Sequence, residues 1–372
     1  MQALEISLQL GRRGHSVRLA CLPDSRLHHE AIKKKLQVLP LPVSGYVHPR
    51  VVLKLRRYLL DARPDIVHCQ LSKDIATVVP AMRLALKRIP ILLSKRVGSF
   101  IGKKDPFHRF TFAHVSRVLA ISSVIRDNVI ATTPVAPDRV VTLYDAVDTT
   151  VFSPEAVDRP KMRKQFGYDD SAIVVGFVGR FSPGKGHEEL LAAADLIRRE
   201  RPDVRFLIVG EASFGEQQYE RHVRRTAHTL GLEQIMTFAG FRKDIPAVMS
   251  CFDVLAFPSH AESFGVVLIE AMAMERAVVS TNCDGVLDIV VDGVTGLYVP
   301  PRNAGELARA LLRLIDDEDL RVSMGKAGRE RVLQLFDQTR QIGQIEEIYH
   351  EVLREHRLTS RHLPPSSAPK PS

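Results

Sequence analysis

Cysteine is scarce in this chain, and Cys21, Cys69, Cys251 and Cys283 form no C-x-x-C pair. Scattered single cysteines read as small buried hydrophobes of a reducing compartment, which argues against a structural zinc site. No stretch reaches the roughly 18 to 20 apolar residues that a membrane-spanning helix needs. The opening Met1-Gln2-Ala3-Leu4-Glu5 begins a mixed amphipathic segment rather than a secretory pattern, so the expected location is the cytoplasm. Aromatic residues do not interleave with the basic clusters and no nucleic-acid motif is present, which sets nucleic acid aside as a partner.

What is there describes a globular protein with ample core: 372 residues, 45% hydrophobic and 26% charged. That length favours two domains. The net charge of +9 hides an asymmetry. Residues 1–165 carry 28 Lys+Arg against 13 Asp+Glu, and the remainder carries 24 against 30. A basic half and a mildly acidic half suggest domains with different partners. The basic half holds Lys33-Lys34-Lys35, Lys54-Leu55-Arg56-Arg57, Lys95-Arg96 and Lys103-Lys104. Such a field favours an anionic surface, either phospholipid or phosphorylated acceptor, although for any single cluster an ordinary solvated face is the simpler reading.

Short apolar runs alternate with helical patterns from end to end. The first half predicts strands over 16–21, 65–69, 89–94, 118–122 and 140–144, with helices over 51–60 and 75–86 between them. The second half predicts strands over 172–178, 204–209, 235–238, 254–257 and 277–281, with helices over 187–200, 217–230, 265–274 and 304–315. Repeated strand-helix-strand means parallel sheets covered on both faces, hence two doubly wound α/β domains, with a cleft where strand C-termini face each other. The expected division is an N-terminal domain over 1–150, a linker over 151–168 marked by Pro154 and Pro160, and a C-terminal domain over 169–340. A C-terminal helix over 341–358 and a disordered Pro/Ser tail over 359–372 follow. A helix over 3–13 comes before any strand, so the natural first strand of the N-terminal domain is missing from the pattern.

Two constellations carry chemistry. The first is Gly179-Arg180-Phe181-Ser182-Pro183-Gly184-Lys185-Gly186, between an apolar strand and a helix. Glycines at such a turn let backbone approach a ligand, two cations five residues apart can grip a diphosphate, and the helix N-terminus adds partial positive charge. The spacing is not that of a Walker A loop. A structural turn with surface cations is the alternative reading. The second is Glu262-Ser263-Phe264-Gly265-Val266-Val267-Leu268-Ile269-Glu270, a strand-loop-helix junction with carboxylates on either side of the helix start. Backbone amides at Gly265, Val266 and Val267 suit an anion. Carboxylates beside them suit vicinal hydroxyls, giving the outline of a nucleotide sugar. The plain alternative for Glu270 is a solvated helix residue, but a carboxylate in an otherwise apolar turn needs a partner.

Together these residues resemble the family 4 (group 1) retaining glycosyltransferases, which have the GT-B fold. The resemblance covers nearly the whole chain, with the Glu-x7-Glu motif and the Arg180/Lys185 loop as its most specific parts. Arg13-Gly14-His15-Ser16-Val17, Pro64-Asp65-Ile66-Val67-His68, Val209-Gly210-Glu211 and the turns around Asp284-Gly285 and Asp292-Gly293 support it. The resemblance implies that Arg180 and Lys185 hold the donor diphosphate, Glu262 binds hydroxyls of the transferred sugar, and Glu270 binds the ribose. Gly179, Ser263, Phe264, Gly265, Val266 and Val267 would shape the donor pocket, with no cofactor and no metal, because the two cations replace one. Asp317-Glu318-Asp319 matches a D-x-D string but lies in a charged run beside a helix. His68 and Arg96 are candidates on the acceptor side, His68 with a structural hydrogen-bonding role as the alternative. His187 and His260 adjoin the donor loops without a spacing that identifies an acid or base.

Three departures from the family pattern stand out: the absent first strand with its Gly-rich loop, Arg96 where many relatives have histidine, and Asp145-Ala146 where Asn and Gly are commoner. The expected activity is transfer of a sugar from a nucleotide-diphosphate donor to a lipid-linked or cell-surface, lipopolysaccharide-type acceptor, with retention. The enzyme would be cytoplasmic, peripheral on the inner face of the plasma membrane. The alternatives are a sugar-nucleotide 2-epimerase of the same fold and an N-terminally truncated, non-catalytic nucleotide-sugar binder.

Overall fold

The computed structural model describes residues 2–42 and 48–361. Most of the tail expected over 359–372 therefore lies outside the described residues. In chain order the first half carries α1 (Gln2–Arg12), β1 (Arg18–Cys21), α2 (Arg26–Lys33), β2 (Gln37–Pro40), α3 (Pro49–Ala62), β3 (Val67–Cys69), α4 (Ile75–Leu84), β4 (Ile91–Lys95), α5 (Pro106–Phe112), β5 (Val115–Ala120), α6 (Ser123–Thr132) and β6 (Val140–Thr142). The second half carries α7 (Arg159–Gln165), β7 (Val174–Val178), α8 (His187–Glu200), β8 (Arg205–Val209), α9 (Gln217–Thr229), β9 (Met236–Gly240), α10 (Ile245–Ser250), β10 (Val254–Phe257), α11 (Val266–Ala273), β11 (Ala277–Thr281), β12 (Gly296–Val299), α12 (Ala304–Asp316), α13 (Glu318–Leu335) and α14 (Gln338–Arg361). These form two compact units, one from Met1–Leu143 with Ile342–Ser372, the other from Tyr144–Gln341. Among the described residues no helix is long and apolar enough to cross a membrane.

The first unit holds two parallel sheets, β2 beside β1 and β3-β4-β5-β6. Ile91, Leu92 and Leu93 of β4 are fully buried, as a strand covered on both faces requires. A break in strand pairing separates the two sheets. Helix α1 serves both sides of this break. Its Ile6 and Leu10 pack with Leu92, Leu119 and Leu143, while its Leu4 packs with Leu19 and Ala31. Helix α14 completes the same core with Ile342, Ile345, Ile348 and Val352. An ion pair from Glu346 to Arg13 at 2.7 Å and a hydrogen bond to His15 at 2.8 Å fasten it to the chain after α1.

The second unit is one parallel sheet in the order β12-β11-β10-β7-β8-β9. The chain starts in the middle at β7, winds outward through β8 and β9, then returns to the other side for β10, β11 and β12. The strand order therefore reverses between β7 and β10, and their C-terminal ends open the crevice where ligands bind in such sheets. Their N-terminal ends are tied by one carboxylate. Asp253 accepts from the Val174 amide at 2.8 Å, pairs with Arg159 at 2.6 Å and reaches Arg163 at 3.3 Å. Both arginines lie on α7, so residues 151–168 hold part of this unit rather than a bare spacer. Strands β2 and β12 and helices α2, α6, α7, α10 and α13 are additions to the predicted elements, and Asp317 of the D-x-D string is the N-cap of α13, accepting from the Leu320 amide.

Arg163 is almost fully buried and also donates to the carbonyl oxygens of Cys251, Asp169 and Ala172. Arg163→Ala would strand these acceptors and should cost about 3 to 5 kcal/mol. Urea denaturation checks this, and a loss within error of zero would show that Arg159 alone holds the two strands.

Candidate functional site

The loop that leaves β7 is packed closely from two sides, against the β10 loop and against the end of β8, because two glycines allow it. Gly186, at φ 81°, lies where a Cβ would sit 2.2 Å from the Pro258 carbonyl oxygen. Gly210, at φ 145° just after β8, lies where a Cβ would sit 1.8 Å from the Gly179 carbonyl oxygen. Only a residue without a side chain accepts both that conformation and that contact. The His260 amide then donates to the Gly184 carbonyl at 2.8 Å, which joins the loops directly.

This closeness places Lys185 Nζ 2.6 Å from Glu262 Oε2, the two side chains about a quarter and a fifth exposed. Glu262 is held from behind as well. Its amide donates to Asp284 Oδ2 at 3.2 Å and its carbonyl accepts from the Gly285 amide at 2.9 Å. His260 Nε2 lies 2.8 Å from a Glu189 carboxylate oxygen on α8, and its Nδ1 accepts from Arg302 Nε at 3.3 Å. Those two contacts together fix the tautomer with hydrogen on Nε2. Arg180 is exposed and donates to Ser213 Oγ at 3.3 Å, beside Glu216, which accepts from Ser182 Oγ at 2.5 Å. The Ser182 hydrogen bond, with the Arg180 charge behind it, holds Glu216 below the usual carboxylate range.

After the loop, α11 starts at Val266 with Gly265 as an N-cap that has no side chain to offer. Its first amides, those of Val266 and Val267 among them, are the donors an anion can take. Ser263 is half-buried beside them. Phe264 contributes only main chain here, since its ring is buried against Tyr144 and Phe336, stacked on the first at 5.8 Å. Glu270 lies on the same helix, and no hydrogen bond or ion pair to a described residue offsets its burial. Burial alone pushes its carboxyl up to about 7. A diol would give that carboxylate the donors it lacks. His187 is buried among the rings of Phe177, Phe181 and Tyr219, and burial pushes it down to about 4, so it is a neutral packing residue.

Thus Gly179, Arg180, Lys185, Glu262, Ser263, Gly265, Val266, Val267 and Glu270 all fall on the two switch-point loops or the helix that follows one of them. Glu189, Asp284, Arg302, Ser213 and Glu216 also take part, and no spacing in the sequence marks them. The acceptor-side candidates belong to the other unit. His68 is held at both ring nitrogens, by Tyr349 Oη at 2.7 Å and Ser94 Oγ at 2.9 Å. Burial first, and the Arg96 charge second, push it down to about 4. That geometry pins α14 to β3 and β4. Arg96 is half-buried at the end of β4.

A carboxyl raised on folding costs stability that is small below the ordinary value of 4.5 and grows as pH rises toward 7. Glu270→Gln should therefore stabilise the unliganded protein by about 1 to 2 kcal/mol at pH 8 and by much less at pH 5. Denaturation at both pH values tests this; equal gains would assign the effect to packing of the amide instead.

Known proteins share this architecture. The family described as "Glycosyl transferases group 1" matches residues 158–331, and "Glycosyltransferase Family 4" matches residues 1–151. The alpha-D-kanosaminyltransferase of Streptomyces kanamyceticus is 30% identical over 324 residues, 79% of this chain and 82% of that protein. A D-inositol 3-phosphate glycosyltransferase of Corynebacterium aurimucosum is 35% identical over 59% of this chain, a match that spans about half of that protein, 52%. Among solved structures, a glycosyltransferase of Rickettsia africae superposes with TM-score 0.84 at 21% identity, covering 94% of this chain and 93% of the other. The Anabaena protein HepE, crystallised with UDP, superposes with TM-score 0.82 at 24% identity over 94% and 96%. Two family matches that run from one end of the sequence nearly to the other, and a relative matched over most of both chains, establish that this chain belongs to the group 1 (family 4) glycosyltransferases, enzymes of the GT-B fold that transfer sugar from a nucleotide sugar.

Proposed function

We propose that this chain moves a hexose from a nucleotide-diphosphate sugar to a lipid-linked or cell-surface polysaccharide acceptor, of the lipopolysaccharide type, with retention of anomeric configuration. The observation that carries the donor half of this reading is the Lys185–Glu262 pair at 2.6 Å, set at the switch point beside the uncapped start of α11. Within the protein the pair neutralises itself. A donor replaces it with two matched contacts, the diphosphate on Lys185 and sugar hydroxyls on Glu262. Arg180 and the α11 amides take further charge from the phosphates, and Glu270 accepts from the ribose. As the bond from the anomeric carbon to the diphosphate breaks, the negative charge grows on the departing phosphate oxygen beside Lys185 and Arg180. Two cations fill this role without a metal.

Retention follows when the acceptor oxygen bonds to the anomeric carbon from the face the diphosphate leaves. The departing phosphate oxygen takes the acceptor proton. The acceptor half of the reading rests on charge: the basic excess lies in the first half of the chain, and anionic or lipid-phosphate acceptors suit it.

A thermal-shift screen against UDP, GDP, ADP and CDP, then their sugars, tests the donor site. One nucleotide should stabilise the protein by about 2.7 kcal/mol at a hundredfold excess over its Kd. Lys185→Ala should abolish that shift, and Glu262→Ala should lower kcat by about 10²- to 10³-fold with the fold intact by circular dichroism. Undiminished turnover in both variants removes the assigned site.

A further inference from the structure

A cavity of about 350 Å³ opens at the N-terminal ends of β4 and β5, and all of its lining belongs to the first unit. Ligands of doubly wound sheets bind at the other ends of the strands, where Arg96 follows β4, and no residue of the donor site lines this cavity. Met82, Ile89 and Pro90 line it as buried apolar groups. Around them stand Arg83, Lys87, Arg88, His114 and His356, with the Ser116 hydroxyl. No described carboxylate lines it. Between Asp74 and Asp127 the chain holds only one acid, Asp105, and that side chain caps α5. Glu355, the neighbour of His356, is paired with Arg117.

Cations that follow a helix often serve its last carbonyl groups, but at the end of α4 those are already taken. The Ala81 carbonyl accepts from the Ala85 amide at 3.0 Å, that of Met82 from the Lys87 amide at 3.1 Å and that of Arg83 from the Leu86 amide at 3.1 Å. Arg56 Nε of α3 donates to the fourth, Leu84, at 2.9 Å. The turn that achieves this puts Leu86 at φ 51°, where helices usually end in glycine, and it brings half-buried Lys87 to the cavity beside Arg83. The side chains of Arg83, Lys87 and Arg88 make no hydrogen bond or ion pair with a described residue. His114 donates from Nδ1 to the Phe110 carbonyl at 2.8 Å, which leaves Nε2 for a ligand. Like charges gathered without an acid repel one another, and an anion among them removes that cost.

We propose that this cavity is a second anion site, which takes a small soluble compound carrying a diphosphate or more than one phosphate. The guanidinium forks of Arg83 and Arg88 suit phosphate oxygens two at a time, Lys87 adds a point charge, and Ser116 and the histidines offer further donors. The volume lies within the range of small-molecule sites. An anion held there fastens His356 of α14 to the end of α4 and the start of β5, segments far apart in the sequence. Its occupancy therefore reinforces the closure of the first unit by α14. The inference goes beyond the sugar-transfer reading and stands without it.

Calorimetric titration of the full chain with inorganic pyrophosphate decides the matter. It is done on Lys185→Ala, which disables the donor diphosphate site, and should show saturable binding at one site per chain. Adding Lys87→Ser with Arg88→Ser should weaken that binding at least about tenfold, and adding Arg83→Ser alone should weaken it several-fold. Pyrophosphate should also slow amide hydrogen exchange in residues 82–90 and 350–358 together, as an anion bridging α4 and α14 requires. In otherwise wild-type protein, Lys87→Ser with Arg88→Ser should keep the nucleotide thermal shift, so failure of this site and failure of the donor site are told apart. No saturable binding by Lys185→Ala, binding that survives both sets of added substitutions, or an equal response to sodium chloride at matched ionic strength overturns the proposal. Protection confined to residues 82–90 overturns the bridge to α14. Sedimentation with phosphatidylglycerol vesicles that Lys87→Ser with Arg88→Ser abolishes, combined with no pyrophosphate binding, would assign the cavity to a lipid headgroup and overturn the soluble ligand.

Discussion

In the second unit two loops approach each other to main-chain contact, and that approach depends on the absence of a side chain at Gly186, while Gly210 lets the end of β8 close on the first of them. Move either loop outward by the width of a methyl group and the His260 amide loses the Gly184 carbonyl. Lys185 then loses Glu262, and the diphosphate site and the sugar site stop being neighbours. The parallel sheet supplies the other half of the constraint. Asp253, shared between the start of β7, Arg159 and Arg163, fixes the opposite ends of the same two strands. The site is therefore set by close packing at both ends of one strand pair, not by flexible loops that find each other.

Charge at the site is paired largely within the protein. Lys185 and Glu262 satisfy each other, Glu216 is held by Ser182 and Arg180, and His260 is fixed between Glu189 and Arg302. Glu270 is the exception, a half-buried carboxyl with no hydrogen bond or ion pair to a described residue. A carboxyl raised in this way is a cost to folding, and groups of that kind cluster at ligand sites.

Much of this was legible in the sequence, for a physical reason. Lys185, Glu262 and Glu270 sit on strand-loop-helix junctions, and there the alternation of apolar runs and glycines announces both the turn and the groups it presents. The strands β7, β8, β10 and β11 were legible too, because burial on both faces makes them nearly uniform apolar runs. Strand β2, Gln37–Pro40, was not: it is short, partly exposed and ends in proline. Strand β12 opens with Gly296, which reads as part of a turn but is needed because a Cβ there would sit 2.5 Å from the Val278 side chain. Glu189, Asp284 and Arg302 escaped because their contacts cross 71, 22 and 42 residues, a distance no local pattern spans. His68 shows the converse. Its position at a strand end left both a role toward the acceptor and a structural hydrogen bond open, and the packing of α14 and β4 supplies the two hydroxyls that occupy its ring.

The placement of α14 has a consequence for the order of events at the ribosome. The second unit is contiguous, so every segment it needs has emerged once Gln341 is made. The first unit is not: its core waits for Ile342, Ile345, Ile348 and Val352, which come after the whole of the second unit in the sequence. Until they arrive, the apolar faces of α1, β4 and β5 have no cover, and nearly 200 residues of a folded neighbour separate them from the missing piece. Closing so long a loop costs far less entropy when its interior is already compact and its ends lie close together. The acidic half of the protein thus acts during biogenesis as the tether for the basic half, and the unit made first is the one completed last.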